Sequence, residues 1–445
     1  MPVRKPLVLA ICCMSLFIVG LDATIVNLAL PSIRAELGAS VTGLQWTVDA
    51  YTLVIAALLV LSGSTADRLG RRRTFQVGLV LFSIGSLLCS IASTVGLLIA
   101  ARMVQAVGGS MLNPVAMSII TNTFTEKRER ARAIGVWGGV VGLSMAAGPL
   151  VGGALVETIG WRSIFWLNVP VGVLAVVLTA LFVPESRADR PRRLDPVGQL
   201  LVILILAGTV FGIIEGHNQG WTSPLIIGSF AVAVLSLLAL LRYEPRREDP
   251  LLDLRFFRSV PFSGATVIAV CAFASLGGFL FLNSIYLQET RGFSALHAGL
   301  LTLPMAAMTA VFAPISGRIV GTWGARVPLV IAGIGLAVAG VLLTGITPTS
   351  PIALLVVAYA AFGIGFGMVN APITNTAVSG MPREQAGVAA AIASTSRQVG
   401  AALGVAVLGA FAGSAAGFWI IAGCGVAVLV LGLATTSQRA LKSVL

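Results

Sequence analysis

Charge is the scarce ingredient of this 445-residue sequence. Only 10% of residues are charged, 57% are hydrophobic, and the mean hydropathy is +0.97. A soluble domain carries about a quarter charged residues, so the composition excludes one and points to lipid as the solvent. The five cysteines (Cys12, Cys13, Cys89, Cys271, Cys424) lie in apolar segments without metal-ligand spacing, so they read as packing residues and no metal site is expected. There are only two histidines, His217 and His297, both placed by the topology below at the edges of outer loops, in water. No G-x-x-x-x-G-K-[ST] phosphate loop occurs. No nucleophile, metal cluster or carboxylate pair marks an enzyme. No cofactor is expected.

What the sequence has instead is a series of apolar runs of about 18 to 25 residues, each able to cross roughly 30 Å of hydrocarbon. Fourteen are expected, at 7–31, 45–65, 74–93, 96–121, 133–156, 163–183, 196–214, 222–241, 262–285, 295–316, 327–346, 351–376, 388–411 and 417–435. No soluble domain fits between them, so the fold class is an all-α polytopic membrane bundle. The first run lacks a small-residue cleavage site ahead of a soluble domain and reads as a retained helix.

The formal net charge of +12 looks at first like a nucleic-acid footprint. Its distribution says otherwise. With the N-terminus inside, all but five of the 29 Lys and Arg residues fall in inner loops and tails. Arg34, Arg162 and Arg291 are the outer ones, and Arg102 and Arg397 lie within spans. This is the positive-inside asymmetry, and it places both termini in the cytoplasm. No nucleic-acid partner is implied.

An internal repeat is visible. "GGSMLNPVAMSIITNTF" from Gly108 resembles "GFGMVNAPITNTAV" from Gly365, and each precedes a short charged loop, from Thr125 and from Met381. A repeat about an axis along the membrane normal is one arrangement used by secondary transporters. The expected organisation is a six-helix half (1–183), a linker (184–195), an inserted pair (196–241), a second linker (242–261) and a second six-helix half (262–445).

Asp22 is the residue that most needs a reason. It sits near the middle of the first span, where an Asp costs about 2.5–3.5 kcal/mol on insertion scales. Thirteen Leu, Ile, Phe or Val residues between Leu7 and Leu30 return roughly 4–8 kcal/mol, so the helix still inserts. A neutral carboxyl bonded to Thr24, Asn27 or backbone carbonyls is one explanation. A proton carrier is the other, for which desolvation and a nearby cation oppose each other. Helix rise places Asp22 about 13 Å and Arg102 roughly 9 Å from the outer end of their spans, so a direct or water-bridged pair is geometrically open. Asp49, near the outer end of span two, is the second candidate carboxylate. Glu215 and Glu289 fall in outer interfacial water.

A substrate cavity is expected at the midplane between the halves. Polar and aromatic candidates are Asn27, Tyr51, Gln105, Asn113, Asn283, Tyr286, Tyr359 and Asn370. Met111, Met305, Met308 and Met368 suit an adaptable pocket. Few charges and many soft apolar groups suggest bulky, hydrophobic, neutral or weakly cationic substrates.

Several motifs carry a family resemblance. "GSTADRLGRRRT" from Gly63 resembles the cytoplasmic loop signature of the major facilitator superfamily, with Gly63 and Gly70 for a tight turn and Asp67, Arg68, Arg71 and Arg72 as a polar latch. The second-half stretch "GRIVGTWGAR" from Gly317 keeps the glycines and Arg326 but has no Asp. "LIAARMVQAVGG" from Leu98 resembles the family's embedded-arginine motif, with Ala106 where Gly is usual. "GVWGGVVGLSMAAGPLVGGAL", with Gly135, Gly148, Pro149, Gly152 and Gly153, is similar to the motif of proton-driven drug antiporters, with Ser144 replacing one usual Gly. "LDATIVNLALP", "WTVDAYTL", "RRLDPVGQLL" and "STSRQVGAALGVAVLG" resemble segments of the fourteen-span drug:proton antiporters, and the last adds Arg397 as a second-half buried charge.

The resemblance implies two six-helix bundles plus two inserted helices in a monomer of the bacterial inner membrane. It implies proton-gradient-driven efflux of hydrophobic drugs or antibiotics by alternating access. An uptake symporter for a small organic solute shares that fold, and a non-transporting receptor is the third reading.

Overall fold

The structure, a computed structural model, describes residues 4–188, 194–247, 250–378 and 386–437. The charged loop from Met381 with Arg383, part of the first linker with Arg190, Arg192 and Arg193, and the tail with Arg439 and Lys442 lie outside the described residues.

Helices are the form an apolar chain takes in lipid, because every backbone N–H and C=O must then find its partner within the segment. The first five are α1 (Lys5–Leu37), α2 (Val41–Leu69), α3 (Arg71–Ser90), α4 (Val95–Thr123) and α5 (Lys127–Thr158). A short α6 (Ser163–Trp166) leads into α7 (Asn168–Phe182), and the two together make one span. Then come α8 (Pro196–Gln219), α9 (Pro224–Tyr243), α10 (Val260–Ile285), α11 (Ala295–Trp323), α12 (Arg326–Thr344), α13 (Ile352–Val378), α14 (Ala386–Gly409) and α15 (Ala416–Thr435). Among the described residues there is no strand, and fourteen helical segments are long and apolar enough to cross a membrane.

Hydroxyl caps start several spans. Ser40 accepts from the Gly43 N–H at 3.1 Å and Thr94 from the Leu97 N–H at 3.2 Å, satisfying amides that the helix itself leaves free. One expected end is corrected: α1 does not stop at Pro31 but continues to Leu37, with Pro31 inside it and Gly38 at φ +63° ending it. Neighbouring helices stabilise a proline-broken ladder in a bundle. Pro114, Pro149, Pro304, Pro314 and Pro372 likewise sit inside helices.

The chain forms two compact units, Met1–Pro196 with Ser294–Gly299, and Val197–Phe293 with Leu300–Leu445. In each, small residues bring helix backbones together. In the first unit, a Cβ on Gly108 would strike the backbone of Gly78 and Phe82, so α3 and α4 touch there. In the second, Gly277, Gly400 and Gly404 join α10 to α14, and Gly333, Gly340 and Gly425 join α12 to α15. Large apolar side chains such as Leu235 and Val234 on α9 point outward instead, as a lipid-facing surface requires. In the most apolar window only 28% of residues are buried on α8 and 22% on α9, against 61% on α1, so lipid is the main neighbour of that pair.

Candidate functional site

Asp22 lies at the centre of a closed polar network within the first unit. Its carboxylate accepts from Arg102 Nη1 at 2.5 Å, from Gln105 Nε2 at 2.8 Å and from Asn168 Nδ2 at 3.0 Å. Arg102 also donates to the Gln105 Oε1 at 2.7 Å and through Nε to the Thr47 carbonyl at 3.2 Å. Ser86 Oγ accepts from Gln105 at 2.8 Å and from Asn168 at 3.3 Å. Asp22 and Arg102 are each about 1% exposed, so the ion pair is closed to solvent. The Tyr51 ring lies 4.0 Å from the guanidinium carbon and the Phe165 ring 5.9 Å from it, a cation–π cradle around a desolvated charge.

Six elements supply these groups: α1 (Asp22), α2 (Thr47, Tyr51), α3 (Ser86), α4 (Arg102, Gln105), α6 (Phe165) and α7 (Asn168). Arg102 and Gln105 sit three residues apart, so one face of α4 presents both. Gly85 carries no side chain where the Gln105 backbone passes, and this close approach brings the adjacent Ser86 within reach of Gln105. The local alternative for Asp22 is corrected here. The Thr24 hydroxyl donates to the Leu21 carbonyl at 3.1 Å and Asn27 Nδ2 to the Ala23 carbonyl at 3.3 Å, whereas Asp22 accepts from Arg102, Gln105 and Asn168. Asn168 and Ser86 are members that the sequence did not single out, since polar residues near span ends are common. Gln105, expected in the substrate cavity, bridges the ion pair instead.

Asp49 stands apart. It is fully buried on α2, and neither carboxyl oxygen has a hydrogen-bond partner among the described residues. Of the other cavity candidates in this unit, Met111 and Asn113 are partly exposed, while Asn27 and Tyr51 are buried. In the second unit Tyr359 donates to Asn283, and Tyr286 donates to the Thr347 carbonyl at 2.7 Å. Met305, Met368 and Tyr359 are buried there, whereas Met308 and Asn370 are partly exposed. Arg397, on α14, donates to the Thr374 hydroxyl at 2.5 Å.

The small residues of α5 dock it onto the helix that carries Asp22. A Cβ on Gly148 would strike Thr24 and one on Gly152 would strike Ile25, while Ser144 faces Gly20 of α1. Gly153 meets the backbone of Ala295 and Leu296, and the Glu157 carboxylate accepts from the Leu296 N–H at 3.0 Å. Gly135 does not share this role, because a Cβ there would meet nothing within 4 Å.

The basic loop closes on a carboxylate that the sequence did not flag. Asp67 accepts from Arg71 Nη2 at 3.0 Å, and the Asp67 carbonyl accepts from the Ala188 N–H at 3.1 Å. Glu185 accepts from the backbone N–H groups of Arg72 at 3.0 Å and Arg73 at 3.3 Å. It therefore sits at the N-terminus of α3, where both amides and the helix dipole favour an anion. Gly70, at φ +112°, makes the turn, and a Cβ there would meet the Glu185 carboxyl carbon at 2.7 Å. Gly63 is corrected: it lies inside α2 rather than in a turn, with open space where a Cβ would be. Arg68 is exposed at the end of α2.

Comparison with known proteins gives the family. The Major Facilitator Superfamily profile matches residues 12–405. The chain is 37% identical over 396 residues to a multidrug resistance protein of Mycobacterium tuberculosis, covering 89% of this chain and 74% of that protein. It is 36% identical over 417 residues to a tetracenomycin C resistance and export protein of Streptomyces glaucescens, covering 93% and 76%. A methylenomycin A resistance protein of Streptomyces coelicolor is 35% identical over 393 residues, covering 87% of this chain and 82% of that protein. With fourteen candidate spans and a profile match over most of its length, the chain belongs to the major facilitator superfamily.

Proposed function

We propose that the protein exports hydrophobic small molecules across the bacterial plasma membrane in exchange for protons, and that Asp22 carries the proton. The observation that carries this reading is the buried Asp22–Arg102 pair, set in the span and held by Gln105 and Asn168. Ionisable residues within a membrane span are costly and mark ion pathways, proton relays and ligand counter-ions. Relatives named for drug resistance and export support the outward direction.

The network gives the proton something to do. A proton on Asp22 removes the charge that Arg102 binds and weakens the contact between α1 and α4. Arg102 keeps the Thr47 carbonyl and Gln105 as partners, so the cation stays solvated by protein while Asp22 is neutral. α1 is also the helix docked against Gly148 and Gly152 of α5, so proton occupancy acts on both of these contacts. A ligand or proton shifts such an equilibrium only by its differential affinity for the two states, and here the differential term is the ion pair. One proton falling through the membrane potential supplies about 2.3 kcal/mol per 100 mV, enough for a substrate gradient of roughly tenfold to hundredfold. Asp49, buried without a hydrogen-bond partner among the described residues, is the second position proposed for a proton. We take the working unit to be the monomer, with no cofactor beyond the proton gradient.

Inverted membrane vesicles test this. Addition of a hydrophobic drug that the protein exports should collapse an imposed pH gradient in vesicles with the wild-type protein, and should leave it intact with Asp22→Asn. Solute accumulation in right-side-out cells, with no drug-induced proton flux, would replace export by uptake.

A further inference from the structure

Arg102 has a carboxylate partner; Arg397 has none among the described residues. Arg397 lies near the middle of α14, and α10 through α15 contain no Asp or Glu at any position. Its guanidinium donates through Nη2 to the Thr374 hydroxyl at 2.5 Å and through Nη1 to the Ser394 hydroxyl at 3.5 Å. Both acceptors are neutral, and each already donates to a backbone carbonyl, Thr374 to that of Asn370 and Ser394 to that of Ala390. The Nε–H is buried and has no partner among the described residues. A guanidinium offers five donors in a planar fork matched to anionic oxygens, so much of its capacity, and all of its charge, is left for another group.

The surroundings define the shape of that group. Thr374 of α13, which accepts from Arg397, is exposed, and Arg397 itself is half-buried with its Nε in the interior, so the site lies at the edge of the packed helices. The Phe273 ring, also half-exposed, lies 6.0 Å from the guanidinium carbon. Phe273 opens a column of rings that continues inward, to Phe366 at 5.1 Å and from there through Phe362 to Phe279. An anion with a flat apolar body satisfies both features, the acid group on Arg397 and Thr374 and the ring face on Phe273.

We infer that Arg397, Thr374 and Phe273 form a subsite for the acidic group of an aromatic organic anion, which supplies the counter-charge that α10 through α15 do not carry. This deepens the export reading and rests on it, and it changes the expected substrate class. The sequence suggests neutral or weakly cationic compounds, whereas this subsite selects carboxylates, sulfonates or phenolates on an apolar body.

Two probes that share a body and differ in charge test it. Anilinonaphthalenesulfonate and neutral phenylnaphthylamine are titrated against the full chain in lipid nanodiscs, with empty nanodiscs subtracted. Charge-assisted hydrogen bonds of this type are worth roughly tenfold to hundredfold in affinity. Arg397→Gln should weaken the sulfonate by that amount and move the neutral probe less than about twofold, with Arg397→Lys between the two. Equal weakening of both probes, or an unchanged sulfonate affinity, overturns the subsite. If Arg397→Gln does not fold, Arg397→Lys and Thr374→Val are read by the same criterion, the ratio between the two probes. Proton-driven pumping of neutral drugs is measured in parallel. Its loss in the wild type would defeat the export reading, whereas an unchanged probe ratio with pumping intact defeats only the subsite.

Discussion

Arg102 and Arg397 are the two basic residues that fall inside the apolar spans, one in each unit, and their surroundings differ in kind. Around Arg102 the protein supplies a carboxylate, a carboxamide oxygen, a backbone carbonyl and two aromatic rings, and solvent is excluded. Around Arg397 it supplies two hydroxyls and one half-exposed ring, in helices with no acidic residue. A charge compensated internally changes only when its partner is protonated. A charge left open changes when a ligand arrives. On the proposed reading the first unit responds to protons and the second to an acidic substrate.

The comparison breaks first at Asp22. Asp22→Asn should abolish drug-driven proton flux in vesicles, while Arg397→Gln should leave that flux intact for neutral drugs. A mutant pair with the reverse pattern would exchange the two roles. Stability gives the next largest contrast. Asp22→Ala strands a buried guanidinium and should cost about 3–5 kcal/mol, seen as a lowered midpoint in thermal unfolding. Replacing both partners, Asp22→Ala with Arg102→Met, should recover much of that loss. Arg397→Gln strands no partner charge and should shift the midpoint far less.

Helix docking offers a third contrast, within one motif. Gly148→Leu or Gly152→Leu would force α5 away from Thr24 and Ile25 and should reduce transport strongly, whereas Gly135→Ala faces open space and should transport as wild type. The smallest effect belongs to the loop. Glu185→Gln weakens the charge at two amide donors of α3 and should cost about 1 kcal/mol, with Gly63→Ala near zero.

Much of this was legible in the amino acids. Helix number followed from the length and charge gaps of the apolar runs, because lipid tolerates little else. The similar depths of Asp22 and Arg102 followed from helix rise in two spans of opposite direction, which left a pair open; their contact depends on how α1 packs on α4. What was not legible depends on which faces meet. Asn168 and Ser86 are unremarkable residues until α7 and α3 turn them toward the same carboxylate. Glu185 looked like one charge of a linker, and only the turn at Gly70 brings it to the start of α3. Gly63 resembled a turn residue by its place in a motif, yet the helix runs through it, since an isolated glycine need not break a helix held by its neighbours.

The central claim is that Asp22 exchanges a proton during transport, and infrared difference spectroscopy of the reconstituted protein tests it most directly. On addition of a transported drug, a carboxylic acid C=O band should be lost or gained, and that band should be absent from the same experiment on Asp22→Asn. A band that persists in Asp22→Asn, or a wild-type spectrum without any carboxyl change while transport proceeds, would contradict it.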